Sequence, residues 1–349
     1  MNILVAGGGP AGLCFARLMK LRRPSWDVTV HERGRSDTTY GWGITLPYRS
    51  VMRLAAADAR TARAVVDASV TWEQVQIFHA GRRVDLNGPK LLGLSRLTLL
   101  RLLHGACRAA GVQLAFESPI EAALLPPCDL LIVADGARSA IREACADRFG
   151  TTVRDGRNRY AWLGTRRIFS GLAFAVANAG HGPLVAHGYP FSARASTFVV
   201  ECGDDVWQHA GMAHRSPEDA CRYLASAFAD SLRGQPLVFR GGLRWMRFLH
   251  VTNERWVHDR MVMVGDAAHA VHFSVGSGTM LALEDALGLA DALDGTADVS
   301  AALHAFESTR RTAVADLQAL ETATVSRLEH MNELEALEPL ALAYRLLSR

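Results

Sequence analysis

The feature that most constrains this chain is a glycine-rich turn directly after its first strand. "NILVA" (Asn2–Ala6) has the composition of a buried strand, "GGGPAG" follows at once, and "LCFARLMKLRR" is typical of a helix. Gly7, Gly9 and Gly12 fit the pattern G-x-G-x-x-G, in which glycines allow a tight turn, the approach of a pyrophosphate and close helix–strand packing. The N-terminus of the helix offers free N–H groups to phosphate. The sequence therefore predicts a βαβ unit that binds a dinucleotide.

A carboxylate ends the second predicted strand of this unit. The stretch "DVTVHER" reaches Glu32 twenty residues after Gly12. At that spacing a carboxylate accepts hydrogen bonds from both hydroxyls of a ribose. A negative charge there disfavours a 2′-phosphate, so the pattern favours NAD or FAD over NADP.

Length and composition exclude several classes of protein. A chain of 349 residues exceeds one ordinary core, which predicts two lobes. Its net charge of only +3 gives no broad field for nucleic acid or an anionic membrane. No apolar run approaches the ~18 residues of a spanning helix, and "MNILVAGGGPAG" has no basic leader, so we expect a cytoplasmic protein. The six cysteines show no zinc spacing, and we expect no metal site.

Two further stretches combine a buried strand with an acidic residue. In "CDLLIVADGARSAIRE" a strand runs into Asp135-Gly136, and a helix is predicted from about Ser139. In "MVMVGDAAHAVHFSVGSG" a strand stops at Gly265-Asp266 and is followed by small residues and two further glycines. Positions this small indicate that the backbone approaches a bulky ligand closely. A simple NAD dehydrogenase would not require either stretch.

In order and spacing, the three motifs resemble those of the single-component FAD-dependent aromatic hydroxylases. The family's Asp-Gly segment ends in Ser-x-x-Arg, matched by Ser139 and Arg142, and its Gly-Asp-Ala-Ala-His segment is matched by residues 265–269. The resemblance implies that Asp266 hydrogen-bonds the ribityl or pyrophosphate part of FAD. It also implies that N–H groups near Thr279 and Met280 point at the flavin pyrimidine ring, where the dipole of the following helix adds to their effect. The cofactor-binding residues expected from the motifs and the resemblance are Gly7, Gly9, Ala11, Gly12, Glu32, Arg33, Arg96, Asp135, Gly265, Asp266, Gly276, Gly278, Thr279 and Met280.

The resemblance also implies a reaction. Noncovalent FAD, reduced by NADH or NADPH, would react with O2 to give a flavin hydroperoxide that hydroxylates an electron-rich aromatic ring. We favour NADH, because the predicted lid has no clear site for a 2′-phosphate. Such a reaction benefits from a group that accepts the proton of the ring substituent. The candidates are His187 and Tyr189 on one face of a predicted strand, and His272 on the flavin loop.

Details of the sequence indicate a subgroup of the family. The common proline and asparagine of the third motif are replaced by Phe273 and Met280. "WLGTR", "STFVVEC" and "HFSVGSG" are similar to stretches of salicylyl-CoA 5-hydroxylases and aminobenzoyl-CoA monooxygenases. We therefore expect a benzoyl ring with an ortho hydroxyl or amino group, carried as a CoA thioester. The arginines expected to border the lid and to be available for its phosphates are Arg154, Arg157, Arg159, Arg166 and Arg167.

A tryptophan-derived substrate stays open as the alternative. Violacein-pathway hydroxylases share these stretches less closely, and Trp162, Trp245 and Phe248 could stack on an indole. Other classes fit less well. Flavin halogenases carry a Trp-x-Trp-x-Ile-Pro segment that is absent from this sequence. Baeyer–Villiger enzymes carry a second dinucleotide motif, and "GSGTML" does not match one. A flavin-binding protein without activity would not require three flavin motifs.

The expected fold is α/β: a Rossmann-like FAD-binding domain with an inserted, mostly β substrate domain and C-terminal helices. The FAD-binding domain would comprise residues 1–70, 93–155 and 255–349, and the substrate domain residues 71–92 and 156–254. The tail from Ser300 onward has apolar residues at helical spacing. The expected assembly is a monomer or a homodimer.

Overall fold

Two β-sheets organise the computed structural model, which describes residues 1–276 and 278–347. Ser277 and residues 348–349, which belong to the predicted FAD-binding segments, lie outside the described residues. The first sheet has the order β14-β15-β7-β1-β2-β6, and all its pairs are parallel except β14 with β15. Its strands are β1 (Asn2–Ala6), β2 (Asp27–Glu32), β6 (Gln113–Phe116), β7 (Leu130–Val133), β14 (Val257–His258) and β15 (Met261–Met263).

The second sheet has the order β12-β8-β11-β10-β9-β4-β5-β3, with β13 also paired to β8. Only the β4–β9 pair is parallel within the described residues. Its strands are β3 (Gly43–Pro47), β4 (Val70–His79), β5 (Arg82–Ser95), β8 (Thr151–Thr165), β9 (Leu172–Asn178), β10 (Pro183–Ser192), β11 (Ala195–Cys202), β12 (Leu237–Val238) and β13 (Trp245–Asn253).

Helices cover both sheets. They are α1 (Pro10–Arg22), α2 (Tyr48–Ala57), α3 (Ala59–Asp67), α4 (Arg96–Ala110), α5 (Ala140–Ala144), α6 (Ala146–Phe149), α7 (Asp204–His209), α8 (Pro217–Ala227), α9 (Ala229–Leu232), α10 (Gly278–Gly295), α11 (Val299–Glu329), α12 (Met331–Glu335) and α13 (Pro339–Leu347). Short 3-10 turns lie at Gly265–Ala267 and Phe273–Val275. The predicted N-terminal βαβ unit, the helix after Ser139 and the helical tail are all confirmed.

The second sheet has two faces of different character because side chains alternate along a strand. Its outer face, with Phe198, Val200 and Leu163, packs in one apolar cluster with residues of α7, α8 and α9. Its inner face, with Phe174, Val176 and Val185, packs against α11, α12 and α13 through Leu328, Met331, Leu334 and Leu342. The C-terminal helices thus hold the inner face of the sheet against the rest of the chain.

Candidate flavin and substrate site

The three sequence motifs meet at one edge of the first sheet, where four strands end. β1 ends before Gly7, β2 ends at Glu32, β7 ends two residues before Asp135, and β15 ends two residues before Gly265. These strands are mutually parallel, so their carboxyl ends lie side by side. Ligands of open α/β sheets bind outside the carboxyl ends of the strands. The fold therefore brings together motifs that are far apart in the sequence.

The turn after β1 can be this tight only because Gly7 and Gly12 lack side chains. A Cβ on Gly7, whose φ is +112°, would lie 2.2 Å from the Ala134 carbonyl oxygen, and one on Gly12 would lie 2.3 Å from the Gly7 oxygen. Gly9 is the N-cap of α1 and provides no side chain to cap it. The first N–H groups of α1, including that of Ala11, are therefore available to a phosphate.

Glu32 supports this turn through both of its carboxylate oxygens. Its Oε2 accepts a hydrogen bond from Gly8 N at 2.8 Å, and its Oε1 accepts one from Gly34 N at 2.7 Å. A carboxylate has about four acceptor sites, so further bonds from ribose hydroxyls remain open to it. The next residue, Arg33, is exposed.

The second motif connects two parts of the site. Asp135 Oδ2 accepts from Ala140 N at 3.1 Å, and Ser139 caps α5 through its bond from Arg142 N at 3.0 Å. The buried Arg142 donates to Ala137 O at 2.6 Å and to Ala267 O at 3.1 Å. Arg142 therefore fixes the Asp-Gly segment to the turn that carries Asp266. Burial raises the pKa of Asp135.

Asp266 lies in a cleft rather than in the core or on an open surface. Its side chain is accessible to solvent, yet desolvation by the surrounding protein raises its pKa, with an opposing effect from the Arg96 charge. None of the hydrogen bonds formed among the described residues uses its carboxylate. A free acceptor inside a cleft fits the hydroxyls of a ribityl chain or ribose.

Arg96 lies near the same cleft, and it stands at the strand-to-helix junction that the sequence predicted. It begins α4 directly after β5. Its Nε donates to Thr39 Oγ1 at 3.1 Å, and its guanidinium lies 4.6 Å from the centre of the Tyr40 ring. Arg96 therefore supplies a positive charge beside Asp266.

A buried charge network below Asp266 was not predicted from the sequence. Asp285 of α10 is fully buried; its Oδ2 accepts from Gly265 N at 2.8 Å and lies 2.7 Å from His269 Nε2. Its Oδ1 accepts from Arg310 Nε at 2.9 Å. Burial alone would raise the pKa of Asp285, but His269 and Arg310 lower it overall. The available signal was an aspartate within the otherwise apolar run "LALEDALGLADAL".

The flavin loop, defined here as residues 271–280 apart from Ser277, is fixed at its start by α11. His272 N donates to Glu321 Oε1 at 2.6 Å, and burial raises the pKa of Glu321 to about 7. Gly276 closes the 3-10 turn and α10 begins at Gly278. Thr279 and Met280 therefore lie in the first turn of α10, where N–H groups have no partner within the helix.

The three predicted catalytic residues differ in what they can donate or accept. The Tyr189 hydroxyl donates to Gly43 O at 3.0 Å, which fixes the start of β3 against the second sheet. His272 Nδ1 accepts from Ser274 N at 3.3 Å. His187 is buried, and its Nε2 has no partner in the described part of the chain. The centres of the His187 and Phe273 rings are 5.6 Å apart and the two ring planes are perpendicular. Burial lowers the pKa of His187 to about 4, so its imidazole is neutral at pH 7.

Glu201, which the sequence did not single out, lies close to this group. It is 1% exposed and faces inward on β11, opposite Tyr160 of β8 and Val185 of β10. Its Oε1 accepts from Asn158 Nδ2 at 2.8 Å and lies 3.9 Å from His272 Nε2, while its Oε2 has no partner among residues 1–276 and 278–347. Burial raises the pKa of Glu201 to about 7. The signal was a carboxylate at an inward position of the alternating strand "STFVVEC".

The site as a whole fits FAD. The tight glycine turn after β1 leads into a helix whose first N–H groups are open, and Asp266 presents an unused acceptor in the cleft. The geometry defines the class: a Rossmann-type flavoprotein with an aromatic-lined sheet beside its flavin loop.

Comparison with known proteins agrees. The family described as "FAD binding domain" matches residues 127–320. The chain is 36% identical to salicyloyl-CoA 5-hydroxylase of a Streptomyces species, over 95% of this chain and 66% of that protein. It is 38% identical to 3-hydroxy-4-methyl-anthranilyl-[aryl-carrier protein] 5-monooxygenase of Streptosporangium sibiricum, over 91% and 86%. It is 32% identical to protodeoxyviolaceinate monooxygenase of Chromobacterium violaceum, over 88% and 83%.

A solved structure shows the same fold. PqsL, a probable FAD-dependent monooxygenase from Pseudomonas aeruginosa, superposes with a TM-score of 0.76 over 99% of both chains at 19% identity. The chain belongs to the FAD-dependent aromatic hydroxylases and is an enzyme, an FAD-dependent monooxygenase. Within the described residues, none of the helices combines the length and apolar character needed to cross a membrane.

Proposed function

We propose that this monooxygenase hydroxylates a benzoyl ring that carries an ortho hydroxyl or amino group and is held as a thioester of a phosphopantetheine arm, as in coenzyme A. The observation that carries the proposal is the pair of relatives at 36% and 38% identity, whose names specify a salicyloyl-CoA and an anthranilyl carrier-protein substrate. Both are ortho-substituted benzoyl thioesters.

The inner face of the second sheet supports an aromatic substrate. His187, Val199 and Trp162 lie directly opposite one another on β10, β11 and β8. The Phe273 ring of the flavin loop lies 4.8 Å from Tyr160 and 5.6 Å from His187. Aromatic rings around a site exclude water and stack on a planar substrate.

FAD, when bound, supplies the reductive activation of oxygen; the protein's residues hold the cofactor and orient the ring. The cofactor-binding set proposed from the sequence stays as proposed, with Arg33 at its exposed border. The neutral His187 is proposed to accept the hydrogen bond of the ring's ortho substituent through Nε2. Tyr189 and His272 are proposed to act by position, since the first orients β3 and the second orients the flavin loop.

The five arginines expected to bind phosphates do not form one cluster. Arg154 and Arg166 lie twelve residues apart on or just after one strand, which is roughly 40 Å at 3.3 Å per residue. Arg157 and Arg159 instead pair with Glu329 and Asp204. Of the five, only Arg166 and Arg167 lie at the end of the second sheet where β8 finishes, and they remain available there for a thioester arm.

An indole-derived substrate is the second candidate. The relative at 32% identity is named for a violacein-pathway intermediate. Of the rings considered for stacking on an indole, Trp162 faces the inner side, whereas Trp245 packs against the outer apolar cluster. Phe248 contacts the His272 ring at 4.8 Å. Fewer rings are therefore available for an indole than the sequence indicated.

Four substrates distinguish these candidates. NADH oxidation and oxygenated product would be measured with salicyloyl-CoA, 2-aminobenzoyl-CoA, free salicylate and tryptophan. The proposal expects product from the thioesters. Turnover of free salicylate as fast as its thioester would overturn it, and product only from indoles would support the second candidate. The same assay with NADPH tests our further proposal that NADH is the reductant.

Three organisational points complete the proposal. We propose the domain division at residues 1–70, 93–155 and 255–349 for FAD and 71–92 and 156–254 for the substrate, with β3 of the first segment pairing into the second sheet. We also propose a cytoplasmic location and a monomer or homodimer. Fractionation and light scattering of the purified enzyme test these two points.

A further inference from the structure

Five arginines meet at one end of the second sheet, and we call this the arginine rim. β8 ends at Thr165, which pairs with Ser196 of β11 and with Leu237 of β12. The turn between β10 and β11 lies at the same end. The segments that meet there, 165–171, 190–196 and 233–240, contain no aspartate or glutamate. Their arginines are Arg166, Arg167, Arg194, Arg233 and Arg240.

The rim carries uncompensated positive charge. Within residues 1–276 and 278–347, none of the five arginines forms a salt bridge, whereas Arg157 and Arg159 toward the other end of β8 both do. Burial, and then the neighbouring charges of Arg233 and Arg83, lower the pKa of Arg167. The net charge of the whole chain is only +3, so this local group of arginines without salt bridges stands out from the rest of the surface.

The rim lies beside the proposed substrate site. The Arg240 guanidinium lies 3.9 Å from the centre of the Trp42 ring, and a Cβ on Gly164 would meet that same ring at 2.7 Å. Trp42 immediately precedes Gly43, whose carbonyl accepts from Tyr189 on the inner face. A thioester arm that reaches the ring site from this side passes the arginines.

Exposed apolar side chains lie next to the arginines of the rim. Ile168 and Val238 are 36% and 38% exposed. A groove of about 350 Å³ lies between α8 and β12, bordered by Glu218 and Arg222 and otherwise lined by Cys221, Ala225, Pro236, Leu237, Val238 and Phe239. Cations next to an apolar groove match a protein surface that combines acidic and apolar side chains.

We infer that the arginine rim docks an acidic carrier-protein domain that presents the aromatic thioester. The inference rests on the proposed function, because it names the partner that delivers that substrate. Coenzyme A has phosphates only at its nucleotide part, so it would engage part of the rim and leave the groove empty. A carrier domain can cover both the cations and the groove.

The test compares one acyl group on three carriers. The 2-aminobenzoyl group would be supplied on a phosphopantetheinylated aryl-carrier domain, on coenzyme A and on N-acetylcysteamine. The rim variant is Arg194→Glu/Arg233→Glu, which changes two exposed rim arginines and keeps Arg166 and Arg167. The matched control is Arg60→Glu/Arg148→Glu, which makes the same charge change at exposed positions on α3 and α6.

For the rim variant we expect KM for the carrier-bound substrate to rise about tenfold or more with kcat unchanged, because repulsion at a docking rim slows association. Added salt should weaken this difference. N-acetylcysteamine thioester turnover and the control variant should be unchanged. An equal loss with coenzyme A, or no loss with the carrier domain, would overturn the inference.

A binding measurement separates this inference from the proposed function. Anisotropy of a labelled, unacylated aryl-carrier domain reports docking without any turnover. Weaker binding to the rim variant supports the docking surface even if only free acids were hydroxylated. Equal binding to both variants counts against the surface even if thioesters were the substrates.

Discussion

At the scale of single residues, two aspartates near the flavin cleft, Asp266 and Asp285, differ in pKa and in role. Asp266 has a raised pKa and an unused carboxylate in the cleft. Asp285 has a lowered pKa, since it contacts Gly265 N, His269 and Arg310. Environment alone therefore divides them into one aspartate available to a ligand and one that holds the turn.

Asp266→Ala should lower the affinity for FAD. A hydrogen bond that involves a charged group contributes about 1.5–3 kcal/mol, which is about tenfold to a hundredfold in affinity. Asp135→Ala is the comparison, and it should weaken FAD binding less because Asp135 already accepts a hydrogen bond from Ala140 N at the start of α5. Titration of each apoprotein with FAD measures both, and equal affinity in wild type and Asp266→Ala would contradict the assigned contact.

Glu201→Gln should stabilise the fold above pH 7 and have little effect near pH 5. The folded-state pKa of Glu201 is raised from 4.5 to about 7. The protonated folded form is favoured below pH 4.5, and that stability is lost as pH rises through 7, by on the order of 3 kcal/mol. Thermal unfolding of both proteins at pH 5 and pH 8 measures this, and a gain in Tm independent of pH would be inconsistent with it.

His187→Phe and Tyr189→Phe should have different effects. His187→Phe removes the free Nε2 and should lower product per NADH oxidised, because the ring is no longer oriented. Tyr189→Phe removes one hydrogen bond to Gly43 and should cost about 0.5–1.5 kcal/mol of stability. Product yield and urea unfolding distinguish them, and full coupling in His187→Phe would remove its proposed role.

At the scale of elements, α10 and α11 are joined by charge beneath an apolar surface. Arg310 contacts Asp285 Oδ1 at 2.9 Å and Glu284 Oε2 at 3.4 Å. The bond from Gly265 N to Asp285 extends this link to the turn after β15. The position of Asp266 therefore depends on contacts that both helices make beneath the cleft.

Asp285→Ala should destabilise the enzyme by about 3–5 kcal/mol, because it removes the closer carboxylate partner of the buried Arg310 and leaves only the 3.4 Å contact with Glu284. Arg310→Ala should cost a similar amount. The double variant should cost less than the sum of the two, since the pair is removed together. Urea unfolding of the three variants measures these values, and strict additivity would show that the two residues do not interact.

The parts of the site that were predictable are those encoded locally. The glycine turn, Glu32, the Asp135 segment and Arg96 each sit at the end of a strand that its own composition indicated. Asp285 was not predictable as a network residue, because its partner Arg310 belongs to a different helix. Glu201 was missed for the same reason: only the packing of the α11–α13 helices buries the sheet face that it occupies.

At the scale of the whole molecule, the cofactor site joins parts of the chain that are far apart in sequence. FAD would contact residues from the first glycine turn to the start of α10, so binding should couple their stabilities. Addition of FAD at 100 times its Kd should raise the unfolding free energy by about 2.7 kcal/mol. A Tm that does not depend on FAD concentration would contradict this, and acid release of the flavin would show that it is noncovalent.

The hydrogen bond from His272 N to Glu321 has a consequence for whether the FAD-binding part of the chain could fold without the C-terminal helices. The family match ends at residue 320, yet the acceptor that fixes the start of the flavin loop is the next residue. The same long helix continues to Leu328, which covers Phe174 and Val185 on the second sheet. Helix α11 thus contacts both the flavin loop and the second sheet. Neither the FAD-binding part nor the substrate-binding part could be expressed alone without losing these contacts.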